Sequence, residues 1–211
     1  MSSGRKAVSN GLVAEESEFA SSPGPDPVRN RILRGAALVF GERGYGASSV
    51  EAILAAAEVS RRTFYRAFRS KEDVLRTLFD NSVQMLIRAV KRAVDPGQSA
   101  HERRAAAVEA YIEVHANAGA LARVLLLEQF SPGSPLAVQR NRAHATFTKL
   151  ISNVAIGNGR PAPDPVLVAA VVAAINQVCV QMASQYPDGN WDVARAKRAV
   201  LRILTALDEP S

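Results

Sequence analysis

Hydrophobic positions along this chain recur every three or four residues rather than every second one, a spacing that predicts helices almost throughout. A first helix is expected over 27–43, opened by proline, with Ile32, Leu33, Ala36, Ala37, Val39 and Phe40 on one face. "GERGYG" stops it. Ser48 and Glu51 form an S-x-x-E capping box for a short second helix that turns Val50, Ile53 and Leu54 inward. After "AEVS", Ser60 is the expected N-cap of a third helix, whose Phe64 and Phe68 fall at i and i+4 on a buried side. "SKEDVL" opens a long fourth helix over 71–94 with Leu75, Leu78, Phe79, Leu86 and Val90 in one stripe. Five more are expected near 99–117, 119–130, 135–156, 164–185 and 191–207, separated by "NAG", "SPGSP", "GNGRPAP" and "YPDGN". The fold class is all-α, with nine helices. Residues 1–26 are rich in Ser, Gly and Pro, lack this periodicity and read as a flexible tail.

A chain of 211 residues with 47% hydrophobic content can bury a sizeable core. Cys179 is the sole cysteine, so no intramolecular disulfide and no four-cysteine zinc site can form within one chain. No signal-peptide layout opens the sequence, and no apolar run reaches the ~18 residues of a membrane span. A soluble, cytoplasmic protein is expected. The net charge of +6 is unevenly placed: residues 27–92 hold thirteen basic against six acidic side chains, while the remainder is close to balanced. Such a concentrated excess is an electrostatic footprint for nucleic acid.

That excess centres on "VSRRTFYRAFRSK" at 59–71. With Phe64 and Phe68 inward, Arg61, Arg62, Tyr65, Arg66 and Arg69 lie on the opposite side. Residues 48–69 thus supply a support helix, a tight turn and a recognition helix in the order that a helix–turn–helix requires. Arginine's planar fork matches guanine O6 and N7, which makes Arg61 and Arg62 the candidate base readers, with Tyr65 and Arg66 one turn on. Tyr45, Ser49 and Lys71 are placed for backbone phosphate. Ser48, Ser60 and Thr63 complete the candidate DNA-binding set.

The segment "SSVEAILAAAEVSRRTFYRAFRSKEDVL" closely resembles the amino-terminal signature of the tetracycline-repressor (TetR) family of bacterial transcription regulators, and the resemblance covers about residues 27–80. It implies a homodimer of nine-helix subunits, with a DNA-binding head at 27–70. The larger domain at 71–211 would bind a small-molecule effector and dimerise through its last two helices. The implied function is a sequence-specific regulator, a repressor, released from a palindromic double-stranded DNA operator by its ligand. Three positions depart from the pattern: Leu54 replaces a small alanine, Glu58 replaces a turn glycine, and Ala67 replaces a common histidine.

Other chemistry finds little footing. His101, His115 and His144 sit on separate expected helices without ligand-type neighbours, so neither a metal nor any other cofactor is expected. Glu109 and Glu113 share a side at i,i+4, as on an exposed amphipathic helix, and no nucleophile motif or carboxylate dyad points to an enzyme. Polar interruptions on apolar helices, His115, Asn176, Gln177 and Gln181, form the candidate ligand pocket; the three amides serve equally as groups bonded across a dimer interface. The eighth helix is apolar nearly all round. It is either the centre of a monomeric bundle or, with the last helix, one half of a two-fold interface.

Overall fold

The computed structural model describes residues 26–117, 119–155, 164–186 and 191–205. Among them are nine helices and no strands: α1 (Pro27–Arg43), α2 (Val50–Ala57), α3 (Arg61–Ala67), α4 (Lys71–Ala93), α5 (Ala100–Asn117), α6 (Gly119–Glu128), α7 (Ala137–Ala155), α8 (Pro165–Gln185) and α9 (Val193–Thr205). The ends read from periodicity and breakers fall within two residues of these. The expected tail at 1–26 lies almost wholly outside the described residues, as do the last two positions of the helix expected over 191–207.

The described residues group into two compact units, one within Met1–Gln84 and Asn117–Ala137, the other within Met85–Ala116 and Val138–Ser211. In the first, α1 is the central element and touches α2, α3 and α6. Asp26 caps it, its carboxylate accepting from the amides of Val28 at 3.0 Å and Arg29 at 3.1 Å, and Pro27 follows at the first helical position, where no amide is needed. The expected face of α1, from Ile32 to Phe40, is buried. Gly35 lies where α1 meets α2: a Cβ there would come within 2.8 Å of the Ala57 amide nitrogen, so only glycine permits this approach. Leu121, Leu125 and Leu126 of α6 are buried in the same unit.

The capping box is displaced by one residue. Ser49, not Ser48, is the N-cap of α2, accepting from the Ala52 amide at 3.2 Å. Ser48 is buried and its hydroxyl donates to the Gly44 carbonyl at 2.6 Å. With two adjacent serines the pattern alone does not choose; the carbonyl left open by the α1 turn recruits the first, and the second is left to cap.

In the second unit Val108 and Ile112 of α5, Val171, Ile175 and Met182 of α8, and Ala196, Val200 and Leu204 of α9 form one core cluster. Lys197 fastens α9 to α5 by ion pairs with Glu109 and, at 2.9 Å, Glu113, and these hydrogen bonds raise its pKa. The absence of any run long enough for a membrane span needs correction. The 21 residues of α8 suffice by length and composition, with a mean hydropathy of 2.0, because Asn176 and Gln177 are too few to offset the surrounding Val and Ala. One side of α8 nevertheless belongs to the core cluster, while Val166, Ala170, Ala173, Gln177 and Gln181 are exposed on the other.

Candidate nucleic-acid interface and ligand cavity

The turn between α2 and α3 is closed by Glu58 in the left-handed region, at φ 51° and ψ 47°, while the Val59 amide donates to the Leu54 carbonyl at 3.1 Å. Glycine adopts that conformation without a Cβ penalty, and Glu58 bears it. Ser60 then caps α3 as expected, its Oγ accepting from the Thr63 amide at 3.1 Å and lying 2.8 Å from the Thr63 hydroxyl. Phe64 and Phe68 are fully buried, which fixes the rotation of this short helix. The side chains of Arg61, Arg62, Tyr65, Arg66 and Arg69 are exposed on the other side.

Three contacts that the sequence pattern did not reveal hold this surface in place. Arg29, from the first turn of α1, donates to the Ala67 carbonyl at 2.8 Å and to the Thr77 hydroxyl at 3.2 Å, with its guanidinium 4.0 Å over the Phe68 ring. It ties the end of α3 to α1 and α4. Glu51 of α2 pairs with Arg61 across the turn, both side chains being more than half exposed. The Glu51 carboxyl is held below the usual range by a backbone hydrogen bond and then by Arg61. Lys71, the first residue of α4, donates to the carbonyls of Tyr45 at 3.1 Å and Ser48 at 2.7 Å and sits 4.5 Å over the Tyr45 ring. A charge complementarity at ten residues' spacing, Glu51 to Arg61, was the only one of these with a sequence signal, and it spans a turn rather than one helix.

These contacts refine the phosphate candidates. Ser49 is exposed at the start of α2, whereas Ser48 spends its hydroxyl inside. Tyr45 packs edge-on against Phe40, and burial followed by the neighbouring Glu72 carboxylate pushes its phenol up to about 12. Lys71 uses two of its three donors to close the turn that carries Tyr45 and Ser48.

In the second unit a cavity of about 480 Å³, counting its open mouth, is walled by Val90, Ala107, Val108, Phe147, Val172 and Ile175 among others, and its walls are almost wholly apolar atoms. None of His115, Asn176, Gln177 and Gln181 lines it. Tyr111 does, and it connects the cavity to two of them. His115 Nδ1 donates to the Tyr111 carbonyl at 2.9 Å, the two rings lie 4.6 Å apart, and the Tyr111 hydroxyl reaches Asn176 Oδ1 at 3.5 Å. Burial lowers the pKa of His115 and raises that of Tyr111 well above the phenol range. Gln177 and Gln181 are exposed instead. Among the described residues no three His, Cys, Asp or Glu side chains gather as metal ligands.

Residues 32–78 match the family described as bacterial regulatory proteins, tetR family. A stretch of 46 residues is 50% identical to the HTH-type transcriptional repressor DhaR of Mycobacterium sp. (strain GP1), covering 22% of this chain and 23% of that protein. A stretch of 88 residues is 32% identical to the HTH-type transcriptional activator FasR of Mycolicibacterium smegmatis (strain ATCC 700084 / mc(2)155), covering 42% and 40%. The matched stretches therefore span only 23% and 40% of these curated relatives. Across 82% of this chain and 96% of the other, the structure resembles the transcriptional regulator FadR from Bacillus subtilis in complex with stearoyl-CoA, with a TM-score of 0.66 and 22% identity. At that identity the likeness is one of fold. The head has the helix–turn–helix arrangement of such regulators, and the described residues as a whole share their all-α fold. Over residues 32–78 the chain is thus similar to the tetR family of bacterial regulatory proteins, and the relatives it matches are regulators rather than enzymes.

Proposed function

We propose that this protein is a homodimeric, ligand-responsive repressor that binds a palindromic DNA operator through residues 27–70 and senses an effector through residues 71–211. The observation that carries the reading is the exposed row Arg61, Arg62, Tyr65 and Arg66 on a helix whose rotation is fixed by buried Phe64 and Phe68. Arg62 and Arg66 would reach base edges or phosphates in the major groove, with Ser49, Tyr45, Ser60 and Thr63 around them. Two heads related by a two-fold axis would read half-sites one helical turn apart.

The exposed side of α8, with Val166, Ala170 and Ala173 beside Gln177 and Gln181, supports dimerisation through α8 and α9, the amides bonding across the axis. The cavity's largely apolar walls favour an effector that places a hydrocarbon portion there, since a polar group would lose its hydrogen bonds with water and find few partners besides Arg104 and Tyr111. The B. subtilis FadR structure is in complex with stearoyl-CoA, a ligand that has such a portion. Binding would favour one packing of the body, change the separation of the heads and lower operator affinity. Repression accords with DhaR and a cytoplasmic site of action with a DNA partner. Duplex binding measured against salt tests the reading: retention on DNA that falls steeply between low and moderate salt is expected, and no retention at low salt refutes it.

A further inference from the structure

We propose that Glu51 is a specificity-determining residue of the DNA-binding surface, a positioning residue that holds Arg61 in one geometry and withholds it from indiscriminate phosphate contact. This rests on the reading of α3 as the recognition helix. The observation behind it is a carboxylate beside a row of exposed arginines, anchored in the first turn of α2 and reaching across the turn to the guanidinium at the start of α3.

A duplex is a dense row of negative charge, so an exposed carboxylate beside the groove-facing helix opposes binding to every sequence alike. The fold draws little from the pair in return, because both side chains are more than half exposed and such pairs contribute little to stability. What the pair changes is Arg61. A guanidinium has five donors in a planar fork; with one edge engaged by Glu51, another edge remains for two acceptors in its plane, the arrangement that guanine O6 and N7 present. An unpaired arginine would instead swing to the nearest phosphate, which carries no sequence information. Glu51 therefore trades general affinity for discrimination at one base pair of each half-site. Tyr65, one turn along α3, also interacts with Arg61.

The test uses the full chain and three variants, Glu51→Gln, Arg61→Gln and the double substitution, with a duplex selected from a random library, its symmetric single-base variants and random duplex as probes. Glutamine keeps the size and hydrogen-bonding reach of Glu51 and removes the charge, and thermal melts by circular dichroism check that all variants fold alike. Glu51→Gln is expected to bind random duplex about three- to tenfold more tightly, with a salt slope steeper by about one contact's worth as Arg61 takes up a phosphate. The preference for the selected base should fall by about five- to tenfold at one symmetric pair of positions, the same pair that Arg61→Gln relaxes. On the Arg61→Gln background the Glu51 substitution should leave base preference unchanged. An unchanged ratio of selected to random affinity in Glu51→Gln overturns the proposal, as does an undiminished effect in the double variant or a loss at a different base pair. Wild-type protein without any duplex binding overturns the reading of the head, and this proposal with it.

Discussion

Arg29 donates to the carbonyl of Ala67 at 2.8 Å, joining the first turn of α1 to the last residue of α3, thirty-eight positions along the chain. The C-terminal carbonyls of a seven-residue helix have few partners, and a charged donor satisfies one while its face covers Phe68. Replacing Arg29 with Ala should therefore cost about 1.5–3 kcal/mol, the range for hydrogen bonds to charged groups. A lowered urea midpoint, with Arg29→Lys recovering part of the loss, checks this; unchanged midpoints would show that α3 holds its place without the brace.

Glu58 occupies a backbone conformation that costs a side chain roughly 1 kcal/mol. Glu58→Gly removes the strain but makes the unfolded chain more flexible, so a net gain of about 0.5 kcal/mol is expected, without change in DNA preference. A loss of stability on denaturant titration would mean that the turn relaxes in solution to a conformation glycine does not favour.

Arg62 is exposed one residue beyond the paired Arg61, free of the Glu51 carboxylate that engages its neighbour. Arg62→Ala should weaken operator binding by about 1–3 kcal/mol and broaden base choice at one position per half-site. Equal losses on operator and random duplex would reassign Arg62 to phosphate.

His115 is half-buried, with Nδ1 bonded to the Tyr111 carbonyl, and desolvation holds its pKa below that of an unfolded histidine. Above the unfolded value of about 6.5 both states are neutral and stability does not depend on this group. As pH falls below it the unfolded chain takes up a proton first, so stability declines until the folded histidine titrates too. Melting temperatures from pH 7.5 to 5 should show this slope, and His115→Gln should flatten it; an identical slope in the variant would place the proton uptake elsewhere.

Ala107 lines the apolar cavity, and Ala107→Leu should fill part of it. Calorimetric titration with a medium-chain alkyl ligand is expected to lose affinity about tenfold, in line with the loss of one or two methylenes' burial. Undiminished affinity would move the effector out of this cavity.

Most of the fold was legible because helix signals here are local. Pro27 after Asp26, the Phe64 and Phe68 pair, and the breakers between helices each act within a few residues, so their outcome did not depend on the rest of the molecule. The exposed arginine face followed from the same local logic. What escaped were decisions between near-equal neighbours and contacts across long intervals. Ser48 and Ser49 both suit a cap, and only the open carbonyl of Gly44 separates them. The partner of Arg29 lies thirty-eight positions away, beyond two turns and another helix, where no local pattern reaches. The cavity was not legible for a different reason: its walls are mostly ordinary core residues, and polar interruptions such as Gln177 and Gln181 are exposed and do not line it.

The central claim, that the α3 surface reads duplex DNA twice in a symmetric assembly, is tested most directly by sequencing duplexes that the full-length chain retains from a random library. The account predicts enrichment of inverted half-sites whose centres lie about 34–36 Å apart. Retained duplexes with no common sequence, or with a single unrepeated half-site, would contradict it.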